Sequence, residues 1–408
     1  MRPKLTHDSE RERLRIVEIV TDAGSVVAFL PGHLRYLQQC GYDVYVISSP
    51  SRRLTEIAEN CQVTAVPVDI PREISPLKDA FALFRLYRAL RRIRPHLVAV
   101  GTPKASLLGM LAARLLGAPV RIYKVFGLRF ETCRGFKRRL LEWAEIVTSA
   151  CAQRVVSISP SMSSHYLKGG FCQPAKLYDK IVSSHGVNAQ VFSPRRSSPQ
   201  VAALRRELGI ADDEQIIGFV GRMTRDKGIG DLRAAFRIVQ QSLPRTRLLL
   251  IGQFEDGDPV ASAVRAELES DPRVILTGAV RDTSPYYNLM DVFAFPSYRE
   301  GLPNAPLEAA CSEIPTVGFA ATGTVDAVVH GETGWLVPVG DSAALAERLL
   351  HSLKHPQERM DQGRAGRQRA LRDFLPEGVH AHFERVYRTL LNENGYEALP
   401  EATSAHAA

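Results

Sequence analysis

The chain has 408 residues, 45% hydrophobic and 24% charged, with a formal net charge of +8. That composition excludes a disordered or collagen-like chain, and at roughly 100–200 residues per domain the length predicts two domains. Six cysteines with no CxxC pair and no Cys–His cluster at zinc-ligand spacing argue against a disulfide framework or structural metal, and for a reducing compartment.

Residues 14–20 (LRIVEIV) are a short apolar run, the pattern of a buried strand. Gly24 and Ser25 break it, a helical pattern follows over 27–39, Gly41 ends that helix, and 42–48 (YDVYVIS) reads as the next strand. Strand–loop–helix–strand is the repeating unit of parallel sheets. The alternation continues with a basic amphipathic helix over 76–94 stopped by Pro95, a strand over 97–100, and a helix over 105–116 closed by Gly117. A strand over 120–126, a helix over 135–151 and a strand over 154–159 follow. Residues 192–200 (FSPRRSSPQ) lose all periodicity and predict a linker.

Beyond it, strands are expected over 216–220, 247–251, 274–276, 292–296 and 316–319, with a helix over 230–243. Helical patterns cover 343–354, 356–371 and 377–392. The fold class is therefore α/β, with two Rossmann-like doubly wound domains over 1–195 and 196–375. A C-terminal helix over 376–396 is expected to pack back on the first domain, and 397–408 reads as a disordered tail.

Residues 78–154 are strongly basic, their acids being Asp79, Glu131, Glu142 and Glu145. Such a block suits nucleic acid, anionic lipid or phosphate-bearing substrates. No DNA- or RNA-binding motif accompanies it, so nucleic acid is not the expected partner. The charged N-terminus lacks an apolar core, and no apolar run nears the ~20 residues that span a bilayer. The longest, 107–120, carries Arg114. A cytoplasmic chain, peripheral on a membrane at most, is expected.

Two turns in the second half carry chemistry. In Gly221-Arg222-Met223-Thr224-Arg225-Asp226-Lys227-Gly228, a strand ends and two cations, Arg222 and Lys227, precede the next helix. Ligands of doubly wound sheets bind at the carboxyl ends of strands, where an Arg fork and a Lys point charge would meet a diphosphate. In Glu300-Gly301-Leu302-Pro303-Asn304-Ala305-Pro306-Leu307-Glu308, Asn304 reads as an N-cap and Pro306 as first-turn proline. Free N–H groups at that helix start suit an anion, and Glu300 and Glu308 suit sugar or ribose hydroxyls. Asp256-Gly257-Asp258 forms a D-x-D, a pattern able to hold a cation beside a diphosphate, but a solvated polar loop is the favoured reading.

Together these segments resemble the family-4 glycosyltransferases of GT-B fold, in which two Rossmann-like domains face a central cleft. The Glu300/Glu308 spacing, Gly221-Arg222 with Lys227-Gly228, Gly278-Ala279-Val280, Gly331-Glu332-Thr333-Gly334-Trp335-Leu336-Val337 and Ser184-His185-Gly186-Val187-Asn188 all match the family in order. The resemblance implies that Arg222 and Lys227 hold the donor diphosphate and stabilise the leaving group, that Glu300 contacts the transferred sugar and that Glu308 binds the ribose. It further places backbone near Val280 and Arg281 at the base, backbone from Gly301, Leu302, Pro303 and Asn304 at the donor, and Gly221 and Gly24 beside it. It implies a nucleotide-sugar substrate, typically a UDP-sugar, retention of anomeric configuration, and no cofactor or metal.

Thr102-Pro103-Lys104-Ala105, Phe126-Gly127-Leu128-Arg129-Phe130-Glu131 and Lys137-Arg138-Arg139-Leu140 resemble bacterial enzymes that build surface polysaccharides. Their acceptors imply a polyprenyl-diphosphate-linked saccharide and the anionic inner face of the membrane as partners. Lys104, Arg129 and Glu131 are the acceptor-side candidates. Many family members carry a histidine where this chain has Phe126, so that role does not carry over. His33, His96, His165 and His185 read as structural. A sugar-nucleotide epimerase of the same fold and a non-catalytic nucleotide-sugar-binding protein are the alternatives; epimerised donor in the absence of acceptor would identify the first. A dinucleotide-dependent oxidoreductase is disfavoured because no GxGxxG follows the first strand.

Overall fold

The computed structural model describes residues 13–22, 24, 26, 30–71, 75–180 and 183–397. The chain divides into two compact units. One comprises Met1–Lys124, Ala144–Val155 and His380–Ala408, the other Val125–Trp143 and Val156–Val379.

The first sheet has seven strands in the order β3-β2-β1-β4-β5-β6-β7. They are β1 (Arg15–Ile19), β2 (Asp43–Ser48), β3 (Thr64–Pro67), β4 (Leu97–Val100), β5 (Val120–Val125), β6 (Arg154–Ser157) and β7 (Leu177–Tyr178). β1 pairs in parallel with both β2 and β4. The strand order reverses there, as in doubly wound folds. Ile16, Val17 and Ile19 on β1 are fully buried, as expected of a strand covered on both faces.

Glu18 on the same strand is also fully buried. Lys124 Nζ lies 2.5 Å from Glu18 Oε2, while Tyr387 Oη (2.6 Å) and His33 Nε2 (3.3 Å) meet Oε1. Burial by itself would raise this carboxyl, but the Lys124 ammonium and His33 outweigh it and hold it down at about 2. Tyr387 belongs to the helix Pro376–Glu393, and Glu384 of that helix accepts a hydrogen bond from Tyr42 Oη at 2.9 Å. The C-terminal helix is thus tied to the first sheet through buried polar contacts rather than by apolar packing alone.

The second sheet has six strands in the order β10-β9-β8-β11-β12-β13. They are β8 (Gln215–Val220), β9 (Thr246–Ile251), β10 (Val274–Gly278), β11 (Val292–Phe295), β12 (Thr316–Phe319) and β13 (Gly334–Val337). All neighbours are parallel, and the order reverses between β8 and β11. Phe236 and Leu349 are among the apolar residues packed on one face, and Tyr287, Met290 and Ala309 among those on another cluster.

Some elements differ from expectation. Within the helix expected over 27–39 the described helix is Pro31–Gln39, and residues 27–29 lie outside the described residues, as does the tail beyond 397. Helix Arg52–Cys61 was not expected because its sequence is mostly polar; Ser51 Oγ caps it by accepting from Leu54 N at 3.1 Å. β3 is a half-buried edge strand whose alternation is too short to read. Residues 192–198 are no free linker. Asn288 fixes them, Oδ1 accepting from Arg195 N (2.5 Å) and Nδ2 donating to Ser193 O (3.0 Å), and Ser198 then caps helix Pro199–Glu207. No described helix is long and apolar enough to cross a membrane.

Candidate functional site

The second sheet's order reverses between β8 and β11, so its crevice opens at their carboxyl ends. β8 runs into Gly221 and Arg222, then into a 3-10 turn over Arg225–Lys227. Gly228 follows with φ 69°, and a Cβ there would lie 2.0 Å from Pro296 O just after β11. Only glycine lets the two strand ends close on one another.

Asp226 pins the turn. Its carboxylate accepts from Thr224 Oγ1 (2.6 Å) and Arg299 Nη2 (2.9 Å), and its carbonyl from Tyr298 N (2.9 Å). Burial opposes its charge, but the Thr224 hydroxyl and the Arg299 and Lys227 cations prevail and lower its pKa. Asp258 Oδ2 accepts from Asp226 N at 2.9 Å, and Asp258 pairs with Arg225 at 3.1 Å. The D-x-D loop is therefore not merely solvated: Asp258 braces the cationic turn, while Asp256 is exposed.

Held this way, Lys227 Nζ sits 2.5 Å from Glu300 Oε1, with the two side chains only 15% and 14% exposed. Arg222 is more open, and its Nη1 lies 2.8 Å from Glu255 Oε2. Glu300 N donates to Thr322 O at 3.1 Å. The next residue, Gly301, is wedged: a Cβ there would lie 2.1 Å from Phe126 O, and Ser159 Oγ donates to its carbonyl at 2.7 Å. Among the described residues, the N–H groups of Gly301 and Leu302 have no acceptor.

Helix Asn304–Cys311 starts one residue earlier than the expected cap implied. Pro303, with extended backbone (φ −76°, ψ 130°), takes the N-cap position without a side-chain bond. Asn304 is the first helical residue, and its amide instead reaches Gly186 O at 3.2 Å and His185 Nε2. Burial pushes His185 down to about 4, so it is neutral here. Pro306 lies in the first turn as expected. Glu308, one turn in, accepts from Tyr287 Oη at 2.8 Å through Oε2. Burial raises Glu308, and the Tyr287 hydrogen bond partly offsets that. Among the described residues, its Oε1 has no partner. Val280 is half-buried and Arg281 exposed beyond the end of β10.

The acceptor-side candidates separate. Glu131 lies beside the Glu300 loop: Thr322 Oγ1 donates to its Oε1 at 2.9 Å and His165 Nδ1 is 3.1 Å away. Burial raises its pKa from the ordinary value, with the Thr322 hydroxyl and His165 working against the rise. Its neighbour Thr132 accepts from Arg299 Nε at 3.1 Å, while Arg129 is exposed. Lys104 and Gly24 belong to the first unit. Lys104 Nζ pairs with Asp79 at 2.7 Å, and Gly24 is exposed, flanked by residues 23 and 25, which lie outside the described residues.

Asp226, Thr224, Arg299 and Tyr287 are the supports that sequence reasoning missed. Asp226 and Thr224 lay within the quoted turn, but an acid between Arg225 and Lys227 does not show in sequence that it is buried or that it faces Arg299. Tyr287 meets Glu308 across 21 residues with no local pattern to announce it.

The sequence model described as Glycosyl transferases group 1 matches residues 214–355, and that described as Glycosyl transferase 4-like domain matches residues 27–177. The capsular polysaccharide biosynthesis glycosyltransferase CapM of Staphylococcus aureus is 31% identical, covering 93% of this chain and 98% of its own. The UDP-Gal:alpha-D-GlcNAc-diphosphoundecaprenol alpha-1,3-galactosyltransferase of Escherichia coli is 25% identical over 76% of this chain and 79% of its own. Among solved structures, Anabaena Alr3699/HepE in complex with UDP-glucose superposes with a TM-score of 0.76 at 17% identity, covering 92% of this chain and 100% of that one. Sucrose-phosphate synthase from Thermosynechococcus elongatus does so with a TM-score of 0.75 at 21% identity, covering 93% and 100%. At these identities the structural likeness shows the fold.

Proposed function

We propose, because this chain belongs to the group 1 (family-4) glycosyltransferases of GT-B fold, that it moves a sugar from a UDP-sugar to a polyprenyl-diphosphate-linked saccharide. The work belongs to assembly of a bacterial surface polysaccharide at the inner membrane face. The observation that carries this reading is the Lys227–Glu300 pair at the carboxyl ends of β8 and β11. A cation and a carboxylate side by side match the two halves of the bond to be broken, the diphosphate and the sugar.

Lys227 and Arg222 take the donor diphosphate, and Glu300 turns from the Lys227 ammonium to hydroxyls of the transferred sugar. As the C1–O bond breaks, negative charge grows on the departing phosphate oxygen. Lys227 stabilises it from a mostly buried position, where a fixed charge acts more strongly than in water. The acceptor hydroxyl attacks C1 from the face the phosphate leaves, and a phosphate oxygen takes its proton, so configuration is retained. Glu308, oriented by Tyr287, accepts the ribose hydroxyls through Oε1. Free N–H groups of Gly301 and Leu302 add donors beside the phosphate or sugar. Protein cations carry the charge, so no metal enters the scheme.

Retention and metal independence are tested together. UDP-sugars are offered with short polyprenyl-diphosphate saccharides in the presence of EDTA, and the product's anomeric configuration is read by NMR. An α-linked product from an α-donor supports the reading; an inverted product, or transfer abolished by EDTA and restored by a divalent metal, sinks it.

A further inference from the structure

Helix Pro76–Ile93 is apolar on two opposite sides. Ala82, Leu86 and Leu90 form its buried side, and the helix packs against helix Pro103–Leu116. Leu77, Phe81 and Phe84 recur at i, i+4 and i+7 on the far side, and they are 79%, 65% and 57% exposed. A surface helix ordinarily turns polar residues outward. Single exposed apolar residues are ordinary, but three large ones in one stripe mark an interaction surface.

The charges beside the stripe identify what covers it. Lys78 and Arg85 flank it on one edge and Arg91 on the other, all exposed. The Arg88 guanidinium lies 5.8 Å from the Phe84 ring centroid. Asp79, the helix's one acid, is turned to Lys104 at 2.7 Å and to Ser75 N at 3.1 Å. The outer face is thus an apolar centre in a cationic frame. A second copy of this face would bring like charges together. An anionic lipid surface satisfies both parts, since the rings and leucine enter the acyl boundary while the cations stay at headgroup phosphates.

We infer that helix Pro76–Ile93 docks the protein on anionic bilayers by inserting Leu77, Phe81 and Phe84, not by charge alone. The inference rests on the reading of a lipid-linked acceptor and deepens it by naming the surface that meets the membrane.

The test uses the full chain, vesicles with and without phosphatidylglycerol, and a variant combining Leu77→Ser, Phe81→Ser and Phe84→Ser. All three residues are exposed, so the variant's melting temperature should match the wild type. Docking predicts at least ~tenfold weaker sedimentation of the variant with anionic vesicles. It also predicts wild-type binding that partly survives about 0.5 M salt, because insertion is not screened. A Phe81→Trp variant should show a blue-shifted emission on the same vesicles. Wild-type binding by the triple variant, or unshifted Trp emission on bound vesicles, overturns insertion. A wild-type dimer that the triple substitution dissociates would instead make a second copy the occupant, which also overturns it. Transfer to a soluble short-chain acceptor is measured in parallel. The triple variant should keep it, and its loss in both proteins would count against the transfer reading while leaving the vesicle result standing.

Discussion

Lys227 Nζ contacts Glu300 Oε1 at 2.5 Å across 73 residues of sequence, and the pair joins the two turns that follow β8 and β11. In the proposed reaction this ion pair occupies the place where diphosphate and sugar meet. Lys227→Ala and Glu308→Ala should each cut transfer at least ~100-fold, the scale of losing one electrostatic or positioning group. Circular dichroism should show both variants folded. Near-native kcat/KM in either would refute the assignment.

Glu308 is raised by burial, and the Tyr287 hydroxyl works against that rise. The proposed ribose contact requires the ionised carboxylate, so donor use should fall on the acid side as Glu308 takes up a proton. Tyr287→Phe removes the opposing hydrogen bond and raises Glu308 further. The acid limb of kcat/KM for the donor should therefore move to higher pH. An unmoved limb would mean that another group titrates there.

Gly301 passes so close to the Phe126 carbonyl that a Cβ would lie 2.1 Å from its oxygen. Backbone cannot rotate away as a side chain can. Gly301→Ala should destabilise the protein by about 1–3 kcal/mol, the range of overpacking, and weaken donor binding as the Glu300 loop shifts. Urea unfolding together with UDP titration checks both effects. Unchanged stability would show that the two segments separate easily.

Glu18 carries a sign that can be worked out in advance. Its folded value of about 2 lies below the ordinary 4.5, so its stabilisation is complete above about 4.5 and is lost as pH falls towards 2. His33 is lowered by burial and acts in the same sense, losing stability as pH falls below its ordinary 6.5. Unfolding midpoints should drop on acidification, and Glu18→Gln should flatten the part of that drop between about 4.5 and 2. An equally steep profile in the variant would remove Glu18 from the account.

The parallel architecture was legible because strands covered on both faces read as continuous apolar runs, as 14–20 and 216–220 do. The placement of Lys227, Glu300 and Glu308 after β8 and β11 was legible because strand-to-helix turns hold their residues at fixed offsets. Their supports were not. Tyr287 and Glu308 are not neighbours in sequence, and nothing local says that Asp226 faces Arg299. Asn304 looked like a cap by residue type, yet the extended Pro303 backbone takes that position and the amide goes to Gly186. Helix Arg52–Cys61 buries only Leu54, Ala58 and Cys61, too thin a stripe to stand out. The apolar outer stripe of helix Pro76–Ile93 was masked by its charges, which made it read as an ordinary amphipathic helix.

The most direct test of the proposed donor site is calorimetric titration of UDP into wild-type protein and Lys227→Ala. A charge-assisted hydrogen bond to phosphate contributes about 1.5–3 kcal/mol, so the variant should bind UDP roughly 10- to 100-fold more weakly. Wild-type affinity in Lys227→Ala would contradict the placement of the diphosphate between β8 and β11.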